Sequence, residues 1–284
     1  IAGLYNADWG PQDTPSDIPD TYASIYNGIT VGVSDGSHRQ GTTSYDGVGR
    51  TKPEIVAPAS FTSYATPYVT AAAAILIESA GAHTTASDPL VLKATLLAGA
   101  DKSPFSDWDQ TTGRPIDEVY GVGQLDVYEN YFIQQAGQQA ADTAIAPRGW
   151  NLSNVSSSNS ERYDINVPAG FELRNFSALI TWNREVSRRL NRYTASRADL
   201  SLILDGETVS QSSDSTVDNI EHIWRNSNHA LASGNYTLTV ASTNSSSTIY
   251  ALAWRSELYQ DYNLWSATAF TDETPLELRD RSDD

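Results

Sequence analysis

The stretch Glu54-Ile55-Val56-Ala57-Pro58-Ala59-Ser60-Phe61-Thr62-Ser63-Tyr64-Ala65-Thr66-Pro67-Tyr68-Val69, continuing as Thr70-Ala71-Ala72-Ala73-Ala74-Ile75-Leu76-Ile77-Glu78, decides how the chain is read. Glu54 to Ala57 has the pattern of a buried strand and stops at Pro58. A short polar turn leads to Thr62-Ser63, then Pro67, then an alanine-rich apolar run that Gly81 closes. Proline is tolerated in the first turn of a helix, where no N–H is needed, so Tyr68 to Ser79 is expected as helix. Being apolar nearly all round, that helix is expected to be buried and central. A hydroxyl at its start meets the positive end of the dipole and free backbone N–H groups, a setting that suits a nucleophile whose reaction develops an oxyanion. Read alone, Ser63 is more often a helix-cap or first-turn serine than a nucleophile.

Thr62-Ser63-Tyr64-Ala65-Thr66-Pro67-Tyr68-Val69 resembles the nucleophile motif of the subtilisin-like serine peptidases, G-T-S-M-A-[AT]-P-H-V-[AS]-G. Thr51-Lys52-Pro53-Glu54-Ile55-Val56-Ala57-Pro58 is similar to that family's K-P-D-[IV]-V-A-P-G, and Asn27-Gly28-Ile29-Thr30-Val31-Gly32-Val33 to its V-I-T-V-G-A strand. Tyr120-Gly121-Val122-Gly123-Gln124-Leu125-Asp126-Val127 looks like the [YF]-G-x-G-x-[VL]-[ND]-[VA] motif that ends its catalytic domain. The departures are Phe61 in place of glycine, Tyr68 in place of histidine, Ala71, and a short loop before Thr62.

The resemblance implies Ser63 as nucleophile and, after the strand at the start of the chain, an asparagine whose amide donates to the oxyanion. Asn6 is the candidate, with a turn asparagine as the plain alternative. The family's aspartate and histidine lie well upstream of the serine. Here 62 residues precede Ser63, and the histidine among them, His38 in Asp35-Gly36-Ser37-His38-Arg39, does not match the family's H-G-T-x-[VC]-A. A serine hydroxyl needs a base and a carboxylate to orient that base. The chain is therefore expected to be inactive alone and to need an upstream segment, of the same protein or a separate chain. A chain without methionine that opens on Ile1-Ala2-Gly3-Leu4 is expected to continue such a polypeptide.

Net charge is −17, with lysine only at positions 52, 93 and 102, which disfavours nucleic acid and anionic membranes as partners. No run of eighteen apolar residues offers a membrane span. Cysteine is absent, which removes disulfides and thiolate metal sites. The chemistry requires no cofactor, although the family leaves room for structural calcium. Asp13, Asp17 and Asp20 lie in an acidic loop without an EF-hand register. Tyr45 to Arg50, with Gly47 and Gly49, is a turn rather than a phosphate loop.

Ser87-Asp88-Pro89 caps a second helix, Leu90 to Ala98, with Gly99 beyond its end. Asp101 to Asp117 is a polar loop, and a third helix runs to about Ala136, its Tyr128, Tyr131 and Phe132 expected in the core. From Gly149 the pattern changes to period-two alternation. Six strands are expected, near Tyr163–Val167, Phe176–Trp182, Leu200–Leu204, Glu221–Trp224, Gly234–Val240 and Tyr250–Trp254, forming an antiparallel sandwich. Ala198-Asp199-Leu200-Ser201-Leu202-Ile203-Leu204 and Ser233-Gly234-Asn235-Tyr236-Thr237-Leu238 resemble the jelly-roll-type modules that follow secreted bacterial peptidases. His222 and Trp224, two apart on one strand, are expected in packing.

The expected organisation is α/β for residues 1–140 (an incomplete subtilisin-like catalytic domain), a linker at 141–148, an all-β sandwich at 149–255 and an acidic tail at 256–284. The function implied is a secreted serine endopeptidase acting on peptides or proteins. The alternatives are an inactive scaffold of that fold and an adhesive module whose sandwich binds a surface polymer.

Overall fold

The computed structural model describes residues 2–3, 23, 25–38, 40–42, 50–81, 84–189, 192–195 and 199–260. The β-branched runs near the start form a parallel sheet in the order β1 (Ala2–Gly3), β2 (Thr30–Val33), β5 (Ile55–Ala57), with Val31 beside Ile55 and Val33 beside Ala57. Every residue of β2 and β5 is buried, as a parallel strand covered on both faces requires. Between them lies a short antiparallel pair, β3 (Gly41–Thr42) and β4 (Thr51–Lys52). Three helices follow: α1 (Thr62–Ala80), α2 (Pro89–Ala98) and α3 (Val127–Gln135).

The caps of α2 follow the sequence: Pro89 opens it and Asp88 accepts the Leu90 N–H at 2.8 Å. Helix α1 begins a turn earlier than expected, so Pro67 lies inside it. The proline ring removes the N–H that would bond the Ser63 carbonyl.

The helix buried on all sides is α2, not α1. Leu90 through Ala98 are all buried, because one side of α2 meets α1 and α3 while the other lies on the β-sandwich. Helix α1 buries only Thr62, Ala65, Val69, Ala72 and Leu76. Helix α3 turns Asn130, Ile133 and Gln134 inward, so Tyr128, Tyr131 and Phe132 are exposed, contrary to the expectation that they fill the core.

Most of the regular secondary structure is antiparallel β. One sheet has five strands in the order β13 (Val209–Ser213), β12 (Leu200–Gly206), β15 (Gly234–Ser242), β8 (Glu161–Val167), β6 (Thr143–Ala144). The other has four: β14 (Ile220–Arg225), β9 (Phe171–Trp182), β16 (Thr248–Gln260), β7 (Arg148–Val155). A hairpin, β10 (Val186–Arg189) with β11 (Arg192–Ala195), stands apart. All six expected strands are present. The alternation of β8, with Tyr163, Ile165 and Val167 inward, marks a sheet with one wet face.

The four-stranded sheet has no wet face along its centre. In β16, Tyr250, Leu252 and Trp254 enter the sandwich core, while Ala251 and Ala253 join the cluster around the helices. Small side chains on that face let α2 approach the sheet closely. The segment expected as a linker is also built in: Thr143–Ala144 pairs with β8, and Arg148 reaches Glu129 of α3 through two 3.1 Å hydrogen bonds.

Tyr120 to Leu125 runs along β5, with Val56 N–H donating to Gly123 O and Leu125 N–H to Val56 O. Gly121 has φ +58°, and a Cβ there would lie 2.5 Å from the carbonyl carbon and oxygen of Glu54. Gly121→Ala should destabilise by about 2–4 kcal/mol, combining a left-handed backbone with overpacking against main chain. A lower urea midpoint at unchanged m-value would show it.

Candidate functional site

The chain leaves β5 at Ala57, crosses a four-residue turn and enters α1 with Ser63 as its second residue. This puts Ser63 beyond the carboxyl end of a parallel strand and in a helix first turn, where dipole and free N–H groups face outward. The first turn contains no acidic residue, and no side chain caps it from Phe61. Tyr64 N–H and Ala65 N–H both turn back to Phe61 O, at 2.9 and 3.0 Å. Thr62 is buried and anchors the turn, while Ser63 is exposed. Phe61 and Tyr64 meet edge to face with ring centres 5.9 Å apart, flanking it.

The histidines of the described residues are committed elsewhere. His38 is buried beneath the parallel sheet: Nδ1 accepts the Val33 N–H at 3.1 Å and Nε2 bonds Val119 O at 2.9 Å. Burial lowers its pKa to about 4, so it is a neutral structural group. His222 is fully buried, with Nε2 3.1 Å from Ser177 Oγ and Nδ1 3.3 Å from Pro115 O. Its ring meets Trp108 edge-on, and burial holds it far below its usual pKa. This serine–histidine pair is closed to substrate and is the packing role expected for His222; Trp224 on the same strand is only half-buried. His229 is exposed, its Nδ1 against Asn226 at 2.9 Å. Asn6 and His83 lie outside the described residues, as do Asp13, Asp17 and Asp20. No group of three metal-ligating side chains occurs among the described residues. None of their helices is long and apolar enough to cross a membrane.

Beside the site, uncovered apolar surface runs down α1. Phe61, Tyr64, Tyr68 and Ile75 are 46%, 63%, 54% and 51% exposed. Their spacing puts them on one side of the helix, next to the buried face.

Behind the site is a buried charge cluster that sequence reading missed. Glu54 accepts the Thr30 N–H at 2.6 Å and pairs with Lys52 Nζ. Asp218, from the loop before β14, accepts the Thr51 N–H at 2.9 Å and a hydrogen bond from Ser215 Oγ, also at 2.9 Å. Burial raises the Asp218 pKa to about 6. Lys93, on the buried helix α2, has no hydrogen-bond partner for its amine among the described residues, and burial lowers its pKa to about 8 against the pull of Glu54. The signal was present in Val91-Leu92-Lys93-Ala94, where one charge interrupts an apolar helix.

A folded-state pKa below the unfolded one means that stability is full above the unfolded value and falls as pH drops through about 8. Lys93→Met should therefore stabilise the protein by about 1–3 kcal/mol at pH 7, by removing a buried, unbonded charge of similar length. It should also flatten the rise in stability of the natural chain between pH 7 and 10, as urea unfolding at several pH values would measure.

No protein-family model and no curated protein matches the chain. Among solved structures it is similar to the pre-peptidase C-terminal domain of a collagenase from Bacillus anthracis, at 10% identity over 42% of this chain and 99% of that one, TM-score 0.29. It is similar also to periplasmic inhibitors of g-type lysozyme. The one from Salmonella Typhimurium is 14% identical over 40% of this chain and 97% of that one, TM-score 0.24. The one from Aeromonas hydrophila is 9% identical over 43% of this chain and 99% of that one, TM-score 0.23.

Proposed function

We propose that this chain is the nucleophile-bearing part of a secreted, subtilisin-like serine endopeptidase, with an α/β catalytic portion followed by a jelly-roll-type sandwich. The observation that carries this reading is Ser63 itself: exposed, in the first turn of a helix, at the carboxyl end of a parallel strand, within a sequence resembling that family's nucleophile motif. Its hydroxyl would attack the carbonyl carbon of a peptide bond and give its proton to a histidine, which an aspartate orients. The Ser63 N–H and the Asn6 amide would hold the resulting oxyanion.

Both ring nitrogens of His38 and of His222 are already bonded, and His83 and His229 follow Ser63 where the family's histidine precedes it, so we assign the base and its carboxylate to an upstream segment or a separate chain. The uncovered stripe of α1 supports this assignment, because it offers such a segment an apolar surface next to the serine. The second reading, an inactive scaffold, is favoured by Phe61 and Tyr68, which stand where the family's motif has glycine and histidine.

Fluorophosphonate labelling of the protein isolated from its source, with peptide mass spectrometry, tests this reading. A label on Ser63 supports an activated nucleophile accompanied by its base. No label, in a sample where mass spectrometry finds the upstream segment and proteolysis finds it folded, favours the scaffold.

A further inference from the structure

At the seam between the loop after α2 and the four-stranded sheet lies a cavity of about 480 Å³, within the usual small-molecule range of about 300–1,000 Å³. Its wall includes two cations, Lys102 and Arg255, which are 4% and 6% exposed. Both reach for the same backbone oxygen: Lys102 Nζ donates to Ala100 O at 3.3 Å, and an Arg255 terminal nitrogen donates to it at 3.1 Å. Arg255 Nε bonds Ala98 O at 3.4 Å.

Neither cation forms an ion pair among the described residues. The two carboxylates of the wall are engaged with polar neighbours, Asp101 with Ser103 and Glu257 with Asn175. Lys102 Nζ stands 4.5 Å from the Trp224 ring centre and 5.4 Å from that of Trp108. Two buried cations that lean on one carbonyl, with the nearby carboxylates making no ion pair to either, are unfavourable unless an anion joins them or one loses its proton. Each keeps unused donors: an ammonium has three N–H groups and a guanidinium five.

We propose that this seam cavity binds a small carboxylate-bearing ligand, its carboxylate held by Lys102 and Arg255 and its body against Trp108 and Trp224. Charge-assisted hydrogen bonds from a planar guanidinium and an ammonium are the strongest that a protein offers a carboxylate. The rim residues Asn226, Ser227 and Asn228 add amide and hydroxyl partners for the rest of the molecule. Two sources share this chemistry, an acidic sugar and a peptide carboxyl terminus.

Burial and the neighbouring Arg255 draw the Lys102 pKa well down, with Asp101 opposing them. An arriving carboxylate favours the ammonium, so binding weakens as pH rises. The other charged groups of the wall are Glu257, whose carboxylate acts on Arg255, and the nearby His222, whose pKa burial draws well down. The site uses no part of the Ser63 region and stands or falls apart from it.

The test is tryptophan fluorescence and saturation-transfer NMR on the intact chain, comparing glucuronate with glucose and acetyl-glycyl-glycine with its amide. The expected result is that at least one acid binds and its neutral counterpart is about tenfold weaker or more. Which acid binds identifies the source. Lys102→Met should weaken that acid by a similar factor and Lys102→Arg should restore part of it, thermal melts confirming that each is folded. On the natural chain alone, binding should weaken as pH rises. Equal binding of acid and neutral forms, no binding of either acid at about 10 mM, or binding unchanged in Lys102→Met overturns the proposal. Reductive methylation that marks Lys102 in a chain that binds neither acid overturns it too, and assigns a reactive amine instead.

Discussion

On the proposed peptidase function, Ser63→Ala should lower kcat by about five to six orders of magnitude, the loss seen when the nucleophile of a serine–histidine–aspartate enzyme is removed. By transition-state arithmetic this is about 7–8 kcal/mol. The same substitution should leave the thermal midpoint within about a degree, because the Ser63 side chain is exposed, caps nothing and is replaced by a better helix former. A serine that only began a helix would give the reverse pattern, with activity kept and stability slightly changed. The measurement is peptide-bond hydrolysis by matched preparations of the two proteins, with a melting curve for each.

Glu54→Gln should cost about 3–5 kcal/mol of stability, the usual penalty for removing one partner of a buried ion pair. The Glu54 side chain is 2% exposed, and its two oxygens bond Lys52 Nζ and the Thr30 N–H. Glutamine keeps an oxygen for Thr30 but turns a neutral amide toward Lys52 and withdraws the charge that Lys93 also relies on. Burial works against the Glu54 carboxylate. The charges of Lys52 and Lys93, with the hydrogen bonds from Lys52 and Thr30, nevertheless hold its pKa below the ordinary value. A depressed carboxyl pKa contributes stability above the unfolded value and loses it as pH falls through the folded one. The natural chain should therefore lose part of its advantage over the variant in acid. Equilibrium urea unfolding at pH 7 and pH 4, followed by tryptophan fluorescence, reads both. Lys93→Met in the same cluster should move stability the other way.

Where the signal lay in neighbouring residues, the sequence was enough. Asp88-Pro89 capped α2, the Gly28–Val33 run contained β2, and all six alternating segments after Gly149 became strands, because pattern and turn chemistry act within a few residues. The position of Ser63 at the start of a helix was legible for the same reason. Asn6 stays an expectation outside the described residues.

What surrounds a helix or a charge was decided only in three dimensions. Composition made α1 look like the helix buried on all sides, and α2 took that place, since only α2 is caught between the other helices and the small-residue face of β16. Likewise, local pattern could not tell Ala251 from Leu252, which face opposite cores across one sheet. The same holds for the charges. Sequence reading assigned Lys52, Lys93 and Lys102 no place in the interior, yet each is buried. Burial is a sum over distant neighbours, and a charge's partner or lack of one follows from that sum. Sequence therefore determined the elements and the place of the hydroxyl, whereas the tertiary structure determined which faces stay uncovered and which charges share the interior.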